Sequence, residues 1–368
     1  LKALPDFPWD RLVPHKEVAR AHPGGLVDLS VGTPVDPVPA VVQKTLAEAA
    51  DSPGYPLTHG TPDLRRAAAG WLARRLGVSV DPVAILPTIG SKELVAWLPT
   101  LLGVRPGDRV VIPELAYPTY DVGARIAGAE PCATDGLVSV GPAPFRAESA
   151  QSRVPLVWVN SPSNPTGRVL PAEHLRKVVA WARERGAVVA SDECYIELGW
   201  EDQPISILHP DVCGGSHEGL LAVHSLSKRS NLAGYRAAFL TGDPALVARL
   251  LEVRKHAGMM VPDPIQAAMA AALDDDDHAE EQRERYARRR AVLRPALEGA
   301  GWLVDHSAAG LYLWASNGTA CWDQVSALAE LGILVAPGEF YGAAGRDHVR
   351  VAITATDERI DAAVRRLQ

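Results

Sequence analysis

Long apolar runs are missing from this chain. None of its hydrophobic stretches is long enough to cross a bilayer, so a membrane-spanning helix is not expected. Cysteine is scarce: Cys132, Cys194, Cys213 and Cys321 are scattered, and no C-x-x-C pair occurs. That excludes a disulfide framework and a thioredoxin-like redox motif, and it fits reduced thiols. The eleven histidines include no H-E-x-x-H and no cluster with metal-ligand spacing, so no metal site is expected. An excess of basic residues is also lacking. The net charge is −7, which argues against nucleic acid or an anionic membrane as the main partner. No leader-like segment opens the residues given, and the expectation is a cytoplasmic protein. Internal repeats and low-complexity linkers are absent too.

What remains is a chain of 368 residues, 47% hydrophobic and 22% charged, enough for a large core and two domains. From about residue 84 to 240, short apolar runs alternate with helical stretches. Strands are expected at Ala84–Pro87, Arg109–Ile112, Val154–Val159, Ala187–Ala190, Leu220–Val223 and Ala237–Leu240. Helices are expected between them, including one that starts at Thr61-Pro62 and another over Pro171–Glu184. The alternation implies a mostly parallel sheet with helices on both faces. Pro244–Lys255 and Glu280–Leu297 read as further helices, the latter kinked or ended by Pro295. Beyond it, strands at Trp302–His306, Leu311–Trp314, Ile333–Ala336 and Val349–Ile353 and helices over 321–331 and 357–367 make a smaller α+β set. The expected division is a large domain over 36–280 and a small one from 1–35 with 281–368. In the N-terminal part Phe7, Trp9 and Leu12 have the spacing of a packing arm.

One stretch concentrates the chemistry. Ser225-Leu-Ser-Lys228 follows a buried strand, and Gly234 and Arg236 come shortly after. An isolated lysine is usually a solvated charge. Hydroxyls with an arginine suit a phosphate, however, and a lysine beside them can condense with a carbonyl. Pyridoxal phosphate (PLP) carries both groups. Gly90-Ser91 at a helix start is a second anion site, where free N–H groups and the helix dipole favour a phosphate. In open parallel sheets ligands sit at the carboxyl ends of the strands, and Gly90-Ser91, Tyr117, Asn164, Asp192, Tyr195, Ser225, Ser227 and Lys228 all fall there. A carboxylate such as Asp192 would keep a pyridine nitrogen protonated, Asn164 and Tyr195 would serve a ring oxygen, and Tyr117 would stack. The bland alternatives, turn-forming for Asp192 and Asn164 and packing for the tyrosines, stay open on the residues alone.

The chain resembles the fold-type I, PLP-dependent aminotransferases of class I/II. The matching residues are Tyr55…Gly60…Leu64-Arg65, Gly90-Ser91-Lys92, Pro113…Tyr117-Pro118, Asn160-Ser-Pro-Ser-Asn-Pro-Thr-Gly167, Asp192-Glu-Cys-Tyr195, Ser225-Leu-Ser-Lys228 with Arg236, and Arg350. They keep the family's order along nearly the whole chain. The resemblance implies that Lys228 binds the cofactor's aldehyde and moves the substrate proton, with Asp192 at the pyridine nitrogen. It places Asn164 and Tyr195 at the ring oxygen, Tyr117 on the ring face, and Ser91, Lys92, Ser225, Ser227 and Arg236 around the phosphate. It makes Arg350, aided by Gly32 and Asn164, the grip on the substrate carboxylate. Tyr55 would reach the partner's cofactor in a homodimer. Thr58-His59-Gly60 departs from the small residues of many relatives. Around 27–37, 89–103 and 113–123 the chain is most similar to actinobacterial N-succinyldiaminopimelate aminotransferases. That implies N-succinyl-LL-2,6-diaminopimelate as amino donor and 2-oxoglutarate as acceptor, with Lys92 on a distal carboxylate. An aspartate aminotransferase or a PLP-dependent carbon–sulfur lyase remains an alternative. A serine hydrolase is a weaker one, because Ser225-x-x-Lys228 lacks the accompanying SDN and KTG elements. A non-catalytic regulator on the same fold would be expected to lack Lys228 or Asp192.

Overall fold

The computed structural model describes residues 4–134 and 153–368. After a 3-10 turn at Pro8–Leu12 come α1 (Val13–Ala21), β1 (Val27–Asp28), α2 (Ala40–Glu48) and α3 (Pro62–Leu76). Then follow β2 (Ile85–Ile89), α4 (Gly90–Leu101), β3 (Arg109–Pro113), α5 (Thr119–Ile126), β4 (Glu130–Thr134) and β5 (Leu156–Asn160). The series continues with α6 (Ala172–Glu184), β6 (Val188–Asp192), α7 (Pro210–Cys213), β7 (Leu220–Ser225), α8 (Leu226–Arg229) and β8 (Ala237–Gly242). Next are α9 (Pro244–Ala257), α10 (Asp263–Asp274), α11 (Asp277–Gly299), β9 (Leu303–Asp305) and β10 (Tyr312–Ser316). The chain ends with α12 (Cys321–Glu330), β11 (Ile333–Leu334), β12 (Ala336–Pro337), β13 (Val349–Ala352) and α13 (Asp357–Leu367).

Seven strands form the main sheet in the order β2-β8-β7-β6-β5-β3-β4. Only β8 runs against its neighbours β2 and β7. Strand alternation sends Val157 and Val159 to one face and Leu156 and Trp158 to the other. The first face is closed by Leu64, Trp71, Leu175, Val178 and Met269 from α3, α6 and α10. The second is closed by Leu94, Leu98, Tyr120, Val247 and Leu250 from α4, α5 and α9. A sheet covered on both sides explains why its strands read as unbroken apolar runs. A third core joins Leu12, Val27 and Leu29 to Tyr286, Leu293 and Leu297 of α11 and to the four-stranded sheet β12-β13-β10-β9. Buried Arg289 of α11 binds this region together, donating to Asp357 at 2.6 Å and to both oxygens of Asp36 at 2.6 and 2.8 Å.

The local signals account for much of this. Thr61 caps α3 by accepting from the Leu64 N–H at 3.2 Å, with Pro62 in the first turn, a cap worth about 1 kcal/mol. Pro295 does not end α11, which continues to Gly299. The proline removes one N–H donor a turn before the end, and the buried Leu293 and Leu297 hold that turn in the core. The expected strand at 333–336 is two: β11 pairs with β1, whereas β12 pairs with β13. The expected domain boundary at 280/281 lies inside α11. Helices α1, α2 and α10, the single turns α7 and α8 and the edge strand β4 had not been expected. Among the described residues no helix is long and apolar enough to cross a membrane, and no group of three metal-ligating side chains occurs.

Candidate active site

The carboxyl ends of the parallel strands open onto a cavity of about 520 Å³. β5 and β6 are in register so that Asn160 lies opposite Asp192, which sets their ends level. Asn160 then organises the loop after β5: its amide donates to the Asp192 carbonyl at 2.9 Å, and its Oδ1 accepts from the Asn164 N–H at 2.8 Å. β7 ends in Ser225, whose hydroxyl accepts from the Ser227 N–H at 3.2 Å. The chain turns there into the single turn α8, which points Lys228 into the cavity. The Lys228 ammonium donates to the Gly32 carbonyl. Burial lowers its pKa, and the nearby Arg350 and Arg236 push it the same way.

Asp192 forms the floor. Tyr120 donates its hydroxyl to Asp192 Oδ2 at 2.8 Å, and the Cys194 N–H donates to Oδ1 at 3.2 Å. Burial pushes the carboxyl's pKa up, against the pull of these donors. Tyr195 and Tyr312 share a hydroxyl–hydroxyl hydrogen bond of 3.1 Å. Burial alone would raise Tyr312, but Arg350 and Lys228 outweigh it and its pKa is lowered.

Arg350 reaches the cavity from β13. It donates to Asn164 Oδ1 at 2.9 Å and to the Ser30 carbonyl at 2.7 Å. Its guanidinium lies 3.9 Å from the centroid of the Tyr312 ring and 4.8 Å from that of Tyr341. At the other end, Gly90 opens α4 with φ +75°, and a Cβ there would sit 2.2 Å from Arg236 Nη2. The missing side chain thus lets a guanidinium lie against the helix N-terminus. Ser91, Ser225, Ser227 and Arg236 line this end together.

All the expected site residues line this one cavity except Tyr55. Gly32, Ser91, Lys92, Tyr117, Asn164, Asp192, Tyr195, Ser225, Ser227, Lys228, Arg236 and Arg350 are brought together from the main sheet, the four-stranded sheet and the helices and loops beside them. Tyr55 is 95% exposed and stands outside. His59 is also outside, its Nε2 bonded to the Val83 carbonyl at 3.0 Å. Sequence reasoning missed Tyr120, Cys194 and Tyr312. Tyr120 had a signal, three residues past Tyr117 at a helix start. Tyr312 had none, because it comes from the second sheet.

The profile for aminotransferases of class I and II matches residues 25–367. The chain belongs to that family. A transaminase of Streptomyces rimosus, 4-dedimethylamino-4-oxo-anhydrotetracycline transaminase OxyQ, is 62% identical over 367 residues, the full length of both chains. A probable aminotransferase of Mycobacterium tuberculosis is also 62% identical, over 99% of this chain and 85% of its own. Among solved structures, a probable N-succinyldiaminopimelate aminotransferase of Thermus thermophilus aligns with a TM-score of 0.86 at 30% identity, covering 98% of this chain and 99% of that one. The fold is that of the fold-type I aminotransferases.

The class I and II aminotransferases depend on PLP, and this chain is a PLP-dependent aminotransferase. Its cavity fits that cofactor. Hydroxyls, Arg236 and the free N–H groups of α4 gather at one end, a buried carboxylate lies on the floor, and an amine of lowered pKa stands between them. These are the partners that a phosphate, a ring nitrogen and an aldehyde require.

Proposed function

We propose that this aminotransferase moves the amino group of N-succinyl-LL-2,6-diaminopimelate to 2-oxoglutarate. The observation that carries the reading is the distribution of cations. Arg236 stands with the phosphate-type groups, Lys228 faces the Gly32 carbonyl, and buried Arg350 remains for an α-carboxylate. Lys92 is left at the cavity mouth, exposed and 5.5 Å from the centroid of the Phe7 ring. A donor with carboxylates at both ends uses both of the last two. The Thermus thermophilus neighbour, by its name a probable enzyme for this donor, supports the same reading.

PLP, when bound, supplies the electron sink for cleavage of the substrate Cα–H bond. The side chains do the rest. Lys228, whose pKa burial and the neighbouring arginines lower, would accept the proton from Cα and return it. Asp192 would hold a proton on the ring nitrogen, and Asn164 and Tyr195 would serve the ring oxygen with Tyr117 beside the ring. Ser91, the Lys92 N–H, Ser225, Ser227 and Arg236 would hold the phosphate. Arg350, assisted by Gly32 and Asn164, orients the α-carboxylate so that the Cα–H faces Lys228. Tyr55 reaches the partner's phosphate in a homodimer, a reading supported by its near-complete exposure in the single chain. The main sheet with its two flanking cores and the third core are read as two domains, 36–280 and 1–35 with 281–368, and the enzyme as cytoplasmic.

The test is a half-reaction. PLP-loaded enzyme is mixed with N-succinyl-LL-diaminopimelate and no keto acid, and the visible absorbance is followed. Bleaching within a turnover supports the donor; a band that responds to L-glutamate alone removes it. Lys92→Ala should raise KM for acidic donors about three- to fivefold, the upper worth of one exposed charge contact, and leave neutral donors unchanged. Equal effects on both would take Lys92 out of the carboxylate site.

A second reading has its own support. The 62% identity to the Streptomyces rimosus transaminase, along both full lengths, favours amination of a ring ketone of the anhydrotetracycline type. The aminated form of the enzyme, offered that 4-oxo compound, returns to the PLP form if this reading holds.

A further inference from the structure

A second cavity of about 580 Å³ adjoins the catalytic one. The two share Phe7, Trp9, Lys92 and Tyr117 in their walls, so the first opens into the second past the N-terminal arm. The arm is held by aromatic contacts: Phe7 to Trp9 at 5.6 Å and Trp9 to Phe340 at 5.3 Å between ring centroids. The far wall is α4 and α5, which contribute Ala96 and Val122 to this cavity alone. That wall is firm, because Gly123 brings α5 so near α4 that a Cβ would lie 2.8 Å from the Val95 carbonyl.

The charges of the two cavities differ in sign. The catalytic cavity gathers Lys228, Arg236 and Arg350 around one carboxylate, Asp192. The second has Asp6, Glu114, Asp121 and Glu339 in its lining against Lys92 alone. Asp121 is paired with Arg125 at 2.6 Å and Glu339 with Arg11 at 3.2 Å. Among the described residues Asp6 and Glu114 form no ion pair. An anionic substrate tail therefore finds its cation at Lys92 and carboxylates beyond it. The volume is ample for a ring system, within the roughly 300–1,000 Å³ of small-molecule sites.

We propose that the second cavity is a binding subsite for the tail of a second class of substrate, aromatic or fused-ring groups without negative charge, whose reacting end lies in the catalytic cavity. The subsite widens the substrate range beyond dicarboxylate amines. It rests on the aminotransferase reading of the catalytic cavity and not on either donor named above. A flat ring meets Phe7, Trp9 and Phe340, and the carboxylates reject acidic tails by repulsion and unpaid desolvation.

The probes are two unreactive carboxylates, 3-(2-naphthyl)propionate and glutarate, titrated calorimetrically into the PLP-loaded enzyme. Wild type should bind both. Ala96→Phe and, as a second variant, Val122→Phe fill the far cavity and touch nothing in the first. Each should weaken the naphthyl probe about tenfold or more and leave glutarate within about twofold. Circular dichroism identifies a variant that fails to fold, and the other then decides. Absence of saturable naphthyl binding to wild type overturns the proposal. So does an equal loss for both probes, or no loss in a folded variant. A wild-type enzyme without any half-reaction on L-glutamate would instead sink the reading of the catalytic cavity, so the two failures are separable.

Discussion

Tyr120 does two jobs at once. Its ring stacks on Trp158 with centroids 4.9 Å apart, and its hydroxyl donates to the Asp192 carboxylate. The hydrogen bond opposes the upward push of burial on Asp192. Removing it leaves burial less opposed, so the carboxyl's pKa rises further. Tyr120→Phe should therefore move the acid limb of the pH–rate profile to higher pH. It should also cost about 10–100-fold in kcat/KM, the worth of a hydrogen bond to a charged group, about 1.5–3 kcal/mol. An unshifted acid limb would mean that Tyr120 merely packs. Lys228 illustrates the same balance. Its charge is disfavoured by burial and by two arginines, the direction that the proposed proton-accepting role requires.

At the scale of the element, α4 decides one end of the site. Its first residue, Gly90, is in the left-handed region and has no room for a side chain beside Arg236. Gly90→Ala should displace that guanidinium and strain the turn by about 1–2 kcal/mol. The expected outcome is PLP affinity reduced about tenfold or more, read by equilibrium dialysis, with α-helical content unchanged. Unaltered affinity would show that Arg236 does not need its place against the helix. Glu93, a turn further on, anchors the same helix: it pairs with the fully buried Arg254 of α9 at 2.9 Å. The strands β5, β6 and β7 act alike, each ending in the residue that the site uses, Asn160, Asp192 or Ser225.

The whole molecule shows in Glu193 and His224, buried side by side beneath the strand ends with 3.6 Å between Nε2 and Oε2. Burial raises Glu193 from 4.5 to about 7 and lowers His224 to about 3. The folded protein thus holds the Glu193 proton up to about pH 7, whereas the unfolded chain releases it near 4.5. Unfolded protein binds fewer protons in that window, so this group's contribution to stability falls as pH rises from about 4.5 to about 7 and is flat above. Glu193→Gln keeps an oxygen for the Ile207 N–H and loses the titration. The difference in urea-unfolding free energy, wild type minus variant, should decline across that window and then level off. A difference independent of pH would mean that Glu193 is already ionised in the fold.

Much of the molecule was legible in the residues. The alternation of apolar runs with helical stretches gave a mostly parallel sheet, because strands covered on both faces must be apolar throughout. The turn at Ser225–Lys228, the cluster after Asn160 and the Gly90-Ser91 helix start pointed to PLP, the family's cofactor, because phosphate, ring nitrogen and aldehyde each demand a particular partner. Sequence missed α1, whose apolar stripe is narrow, α2, and α10, which is apolar almost all round and shows no helical period, together with the edge strand β4, which is only partly buried. Tyr312 and the pairing of Arg350 with Asn164 were decided by tertiary structure alone. They depend on how β10 and β13 dock against the carboxyl ends of the main sheet, 186 residues separating Arg350 from its partner. The second cavity and its carboxylate rim belong there too: they arise where the arm, α4, α5 and the loop at Phe340 meet, and no local pattern encodes a space between distant segments.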